Sequence, residues 1–175
     1  MASASASDKH VIPANDVRIV EDESGEPVVL GSGAFGIVYD GWILTAKGWQ
    51  PAAHKVQMDV PGALDEMTLV VGLVHPNIVR TYGYYRDSRM FPPVGKVCDV
   101  VVIVMEKLNH KTLYHMLEDL KTPISMERRQ TIVCHIASAV AYLHTSGTQG
   151  YFPFATSFTF MTTSDLFPQG LFTAT

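Results

Sequence analysis

Three glycines, Gly31, Gly33 and Gly36, stand at the spacing G-x-G-x-x-G between the apolar residues 28–30 and 37–39. Residues without a Cβ let a backbone come close to phosphate oxygens, so that its N–H groups can point at them. The same spacing opens dinucleotide-binding folds, but there a helix follows the last glycine. Here Gly41, Trp42 and the β-branched Ile37 and Val38 argue against a helix. The pattern is strand, glycine loop, strand. On its own it also fits a plain hairpin turn. Lys55, in the next apolar stretch, is the residue to read beside it.

These residues need elements to hold them. Val17 to Val20 reads as a short strand ahead of the acidic turn Glu21 to Glu26. The stretch 37–44 returns from the glycine loop, and Lys47-Gly48 turns the chain into a third strand over 49–56, with Pro51 tolerable near its beginning. A helix is expected over 61–73: Pro61 suits a first helical position, Leu64, Met67, Leu69, Val70 and Leu73 share a face, and Pro76 forces His75 out of the α region. Glu66 lies off the centre of that face. A solvated glutamate is its plainer reading, and a capping or packing role the favoured one for His75. A fourth strand follows over 79–85, then a loop over 86–95 with Pro92-Pro93, then a nearly continuous apolar run over 97–105 that reads as a buried strand. A short helix is expected over 112–120 and a long one over 125–144, where Ile132, Ile136, Ala139, Val140 and Leu143 recur at three and four. His110 and His115 have no ligand-like spacing to another donor and read as surface residues.

Taken together, these landmarks resemble the N-terminal lobe of a eukaryotic protein kinase. The loop matches G-x-G-x-x-G-x-V through Gly31, Gly33, Gly36 and Val38. Ala52-Ala53-His54-Lys55 stands where the family has V-A-I-K. Glu66 lies nine residues before His75-Pro76-Asn77-Ile78-Val79, as the helix C glutamate does. Val102-Ile103-Val104-Met105-Glu106 looks like the strand that runs into the hinge, and Ala139-Val140-Ala141-Tyr142-Leu143-His144 like the end of helix E. The resemblance covers roughly residues 25–147, and its nearest style is that of tyrosine-kinase-like Ser/Thr kinases.

The resemblance implies an α+β fold: a five-stranded antiparallel N-lobe with helix C, and an incomplete C-lobe with its first helices. Its parts would be a disordered tail over 1–16, the N-lobe and hinge over 17–108, helices D and E over 109–147 and a divergent tail over 148–175. It implies ATP as the ligand. Backbone amides between Gly31 and Gly36 would cover the phosphates and Phe35 would shield them at the loop tip. Lys55 would pair with the α- and β-phosphates, and Glu66 would hold Lys55. Leu30, Val38 and Ala53 would roof the adenine, with Met105 as gatekeeper. The carbonyl of Glu106 and the N–H of Leu108 would bond its edge. His54 replaces the family's apolar residue, on a side chain that should face away from Ala53 and Lys55.

The resemblance then stops. A His-Arg-Asp catalytic loop should start near Gly150 and is absent from the sequence, and Asp165-Leu166-Phe167 lacks the glycine of Asp-Phe-Gly. No residue matches the catalytic aspartate or the metal-holding Asn and Asp. Phosphoryl transfer rests on positioned phosphates, neutralised charge, a metal and an oriented nucleophile. The expectation is therefore a kinase-family ATP-binding lobe that is inactive as this chain, with weak ATP binding that magnesium hardly changes. The alternatives are a pseudokinase-like module that docks a protein partner through helix C or the exposed face of helix E, and a truncated product without function.

Composition sets the remaining bounds. A hydrophobic content of 47% with 17% charge suits one soluble domain, and a net charge of −4 does not point to nucleic acid. No apolar run reaches membrane-spanning length, and the Ala/Ser-rich first residues do not form a secretory signal. Cys98 and Cys134 lie in apolar runs without metal spacing and read as reduced core residues, which fits a cytoplasmic protein. Residues 148–175 hold six of the eight phenylalanines and a single charge, Asp165, a composition prone to β-aggregation.

Overall fold

The computed structural model describes residues 10–33, 36–59, 70–92, 94–109, 113 and 123–146. Their contacts divide the chain into two units, residues 1–73 with 80–107, and residues 74–79 with 108–175.

The first unit is an antiparallel sheet of six strands: β1 (Val17–Ile19), β2 (Val29–Gly33), β3 (Gly36–Thr45), β4 (Gly48–Met58), β5 (Thr81–Phe91) and β6 (Lys96–Glu106). Their order is β1-β3-β4-β6-β5, with β2 also paired to β3. The sixth strand beyond the expected five is β1, the short strand read at 17–20. β1 and β2 are two halves of one edge strand. β1 pairs Val17 with Ile43 and Ile19 with Gly41, and β2 takes over at Val29 opposite Tyr39. Between them the chain leaves the sheet and returns at the same rung: Val20 N–H bonds the Asp40 carbonyl, and Asp40 N–H bonds the Val28 carbonyl. Asp22 closes this excursion. Its Oδ1 accepts from the Ser24 hydroxyl at 2.6 Å and from the backbone N–H of Glu26 at 3.1 Å and of Ser24 at 2.8 Å, which holds its carboxyl below the usual range.

Alternation along the strands sorts side chains to two faces. One face carries Ile37, Tyr39 and Ile43 of β3, Ala52 and Val56 of β4, Val100, Val102 and Val104 of β6, and Tyr85 and Phe91 of β5, all buried in one cluster. Ile12 completes that cluster at 9% exposure, with Val17 and Ile19 beside it. For residues 10–16 this differs from the expected disordered tail over 1–16, of which residues 1–9 lie outside the described residues. From residue 10 onward the segment is structured: Ile12 N–H bonds the Tyr84 carbonyl at 2.8 Å, Val11 bridges Tyr84 beyond the β5 edge, and a single 3₁₀ turn, Ala14–Asp16, leads into β1. The segment thus touches both edges of the sheet. In a flat sheet those positions would stand about 24 Å apart, more than the ~17 Å that the five residues from Ile12 to Val17 can span, so the sheet curls. Gly83 makes room for the crossing, since a Cβ there would sit 2.3 Å from the His10 carbonyl oxygen.

The second unit is built on α1 (Met126–Thr145), which matches the long helix read at 125–144. Ser125 caps it by accepting from Arg128 N–H at 3.3 Å, and Ile132, Ala139 and Leu143 are its buried residues. The His75 ring stacks on Tyr142 with centroids 5.0 Å apart, and Tyr142 Oη accepts from Val74 N–H at 3.1 Å. Asn77 N–H donates to His75 Nδ1, so Nε2 carries the proton and faces Ser138 Oγ at 3.2 Å. His75 is a packing residue, as its sequence context suggested. Of the helix expected over 61–73, Val70 and Val71 are helical and 61–69 lie outside the described residues. The helix expected over 112–120 also lies outside them, apart from Leu113.

Candidate functional site

The site is laid out on the face of the sheet opposite the buried cluster. β3, β4 and β6 place their residues in rungs. One rung runs Gly31, Val38, Lys55, Ile103, and the next runs Asp40, Ala53, Met105. Residues directly opposite in an antiparallel ladder share a face. Val38, Ala53, Lys55 and Met105 therefore form one strip, with small Ala53 opposite Met105 and diagonal to Val38, and Lys55 opposite Val38. Lys55 and Met105 are half-buried and Ala53 is buried. Leu30 lies at the bulge where the β2 register shifts, and is 45% exposed.

The three glycines have different reasons to be glycine. Gly36 has φ +122°, and a Cβ there would fall 2.1 Å from the Val56 carbonyl oxygen, so the close approach of β3 to β4 demands it. Gly31 and Gly33 meet nothing within 4 Å of where a Cβ would stand. No packing within the described sheet requires their bareness, and it leaves open backbone above the Lys55 strip. A ligand with phosphate oxygens fits such a surface. Phe35 and Glu66 lie outside the described residues. Leu108 is half-buried, lies two residues beyond the end of β6 in sequence and falls in the second unit.

The end of β6 is held firmly. Glu106 N–H bonds the Arg80 carbonyl at 2.9 Å, and Glu106 Oε1 accepts from Arg80 N–H at 2.8 Å, so one residue closes both backbone groups of Arg80. Directly after it, Lys107 Nζ lies 2.8 Å from the Asp40 carboxylate oxygens. Sequence reasoning missed this pair. The partners are 67 residues apart, and nothing local marks Asp40 as more than a polar strand residue.

On the reverse face, His54 fills space that Gly41 leaves. A Cβ on Gly41 would come within 2.5 Å of the His54 ring and of the Arg18 carbonyl oxygen. The ring is fully buried, with Nδ1 3.4 Å from Tyr85 Oη and Nε2 without a hydrogen-bond partner. Burial lowers its pKa to about 4; the Arg89 charge adds to this, while the Trp42 backbone and the Asp40 charge oppose it. His54 points away from Ala53 and Lys55, so it supports the strip from behind and takes no part in it.

A glycine-backed hairpin, a lysine on the adjacent strand and an apolar strip along β3, β4 and β6 thus share one face of the sheet. The protein kinase domain family matches residues 26–149 of the sequence. The chain belongs to that family. Among its relatives are wall-associated receptor kinase-like 21 of Arabidopsis thaliana, 28% identical over 75% of this chain and 20% of the relative, and L-type lectin-domain containing receptor kinase VIII.2 of the same plant, 29% identical over 74% of this chain and 17% of the relative. The probable serine/threonine-protein kinase kinY of Dictyostelium discoideum is 30% identical over 74% of this chain and 23% of its own length. The chain thus spans about a fifth of the length of these relatives. A protein kinase domain uses ATP; on this chain Val38, Ala53 and Met105 present an apolar surface with the Lys55 cation beside it. Among the described residues no helix is long and apolar enough to cross a membrane.

Proposed function

We propose that this kinase chain is the ATP-binding lobe of a serine/threonine protein kinase and that residues 1–175 by themselves transfer no phosphate. The observation that carries the reading is the shared face of Val38, Ala53, Lys55 and Met105 beneath glycines that packing does not require. The base would lie against the strip, with the Glu106 carbonyl and Leu108 N–H as its edge partners. The phosphates would lie under β2 and Gly36, against Lys55, with Glu66 as that lysine's partner. Magnesium has no assigned holder in the sequence, so the lobe would hold ATP by the base, the backbone amides and Lys55. Without a catalytic aspartate or metal ligands, most of the charge stabilisation that phosphoryl transfer depends on is missing.

Calorimetric titration with ATP tests the reading. Weak binding, little changed by magnesium and lowered about tenfold or more in Lys55→Met at unchanged melting temperature, is the expected result. Tight binding that requires magnesium would show a metal site elsewhere in the chain. Incubation with a general protein substrate and labelled ATP should give no transfer. Turnover that disappears in Lys55→Met would refute the inactive reading. A second reading, in keeping with a sequence in which no His-Arg-Asp follows Gly147, is a pseudokinase-like module that binds nucleotide weakly or a protein partner through helix C.

A further inference from the structure

We infer that Asp40 and Lys107 are positioning residues for the nucleotide, an ionic tether that fixes the glycine hairpin to the end of the hinge strand. The inference rests on the ATP-binding reading above. Asp40 stands in the rung of Ala53 and Met105, and Lys107, the residue after β6, reaches the Asp40 carboxylate from the end of that strand. The pair therefore bridges β3 and the end of β6 along the rim of the apolar strip. Both side chains are three-quarters or more covered, Lys107 at 25% exposure and Asp40 at 18%. Asp40 Oδ1 also accepts from Gly41 N–H at 2.8 Å, which fixes the carboxylate from the β3 side. Glu106, bonded twice to Arg80, fixes the other end.

Two consequences follow for a nucleotide. A base inserted between the hairpin roof and the hinge needs both at a set spacing, and the tether sets it without ligand, which lowers the ordering cost of binding. The lysine also neutralises Asp40, a covered carboxylate one rung from Lys55 whose charge would otherwise oppose a polyanion held there. Loss of Lys107 therefore weakens both base and triphosphate, and ATP more than adenosine. A purely structural ion pair would change the melting temperature and leave the affinity alone.

The experiment titrates ATP and adenosine by calorimetry into the whole chain and into Lys107→Met, Lys107→Arg and the double variant Asp40→Asn with Lys107→Met, with thermal melts of each. Lys107→Met should bind ATP about fivefold more weakly, as for a partly covered ion pair, and adenosine about twofold more weakly. Lys107→Arg should restore both affinities, and the double variant should recover the part of the ATP loss that adenosine does not share. ATP affinity unchanged in Lys107→Met, or lost equally in Lys107→Arg at unchanged melting temperature, overturns the tether while ATP binding by the wild type stands. A wild type that binds neither ligand overturns the tether together with the reading it rests on.

Discussion

At position 54 the chain keeps an imidazole in a place too dry to charge it. The ring is wholly buried between Gly41 and Tyr85, and burial brings its pKa from the ordinary 6.5 to about 4. Because the folded value is depressed and the group is a base, the folded state favours the neutral ring. Stability from this residue is full above pH 6.5. It falls as pH drops from 6.5 to 4, where the unfolded chain takes up a proton that the folded chain refuses. The loss over that window is about 3 kcal/mol. Urea unfolding at pH 7 and pH 5 should show it, and His54→Leu should flatten the slope over that window. A wild-type stability independent of pH between 7 and 5 would mean that water reaches the ring. Gly41 is the complementary residue. Gly41→Ala would drive a methyl into both the His54 ring and the Arg18 carbonyl, a clash that costs about 1–3 kcal/mol and that His54→Ala relieves only on the ring side.

Elements were legible from sequence where a period or a run repeats. The twenty residues of α1 carry apolar positions at three and four, and the β6 stretch is a valine-rich run that only a buried strand explains. The Val38, Ala53, Lys55 and Met105 strip follows from strand alternation once the strands are paired, because period two decides the face. Two features escaped for the same reason: they depend on contacts distant in sequence. Ile12 belongs to a short Val11-Ile12 pair between His10 and Pro13, with no period to announce it, and it is held by the β5 edge at Tyr84 and the buried cluster. Asp40 and Lys107 meet only because β4 pairs with both β3 and β6 and brings them within one strand of each other. The strap 10–19 should therefore contribute to stability although the family match begins at residue 26. Ile12→Ala should lower stability by about 2–4 kcal/mol, as for a buried aliphatic side chain. Chemical denaturation measures this, and a change under 0.5 kcal/mol would return the segment to the status of a tail.

For the whole molecule, the division into two units decides what the last residues can do. The large buried cluster lies entirely between Ile12 and Val104, so the sheet carries its own core. α1 is less well supplied: its buried residues are Ile132, Ala139 and Leu143, and Val133 is 65% exposed. At ~25 cal/mol per Å² of apolar surface, a few large side chains more or less in contact amount to several kcal/mol, the scale of a domain's whole stability. Residues 148–175 are the sequence nearest to hand for such cover, but six phenylalanines with one charge and no apolar period give them no means to present a single face. The composition favours association between chains over a fitted cap. Deleting 148–175 should therefore leave the thermal transition of the sheet within about 3 °C, equivalent to less than ~1 kcal/mol, and raise the concentration at which the protein stays monomeric. Light scattering and a melt followed by tryptophan fluorescence suit the purpose, since Trp42 and Trp49 both lie in the sheet. If cooperative unfolding disappears with the deletion, these residues stand in for part of a lobe, and the protein-binding reading gains over that of an ATP-binding lobe alone.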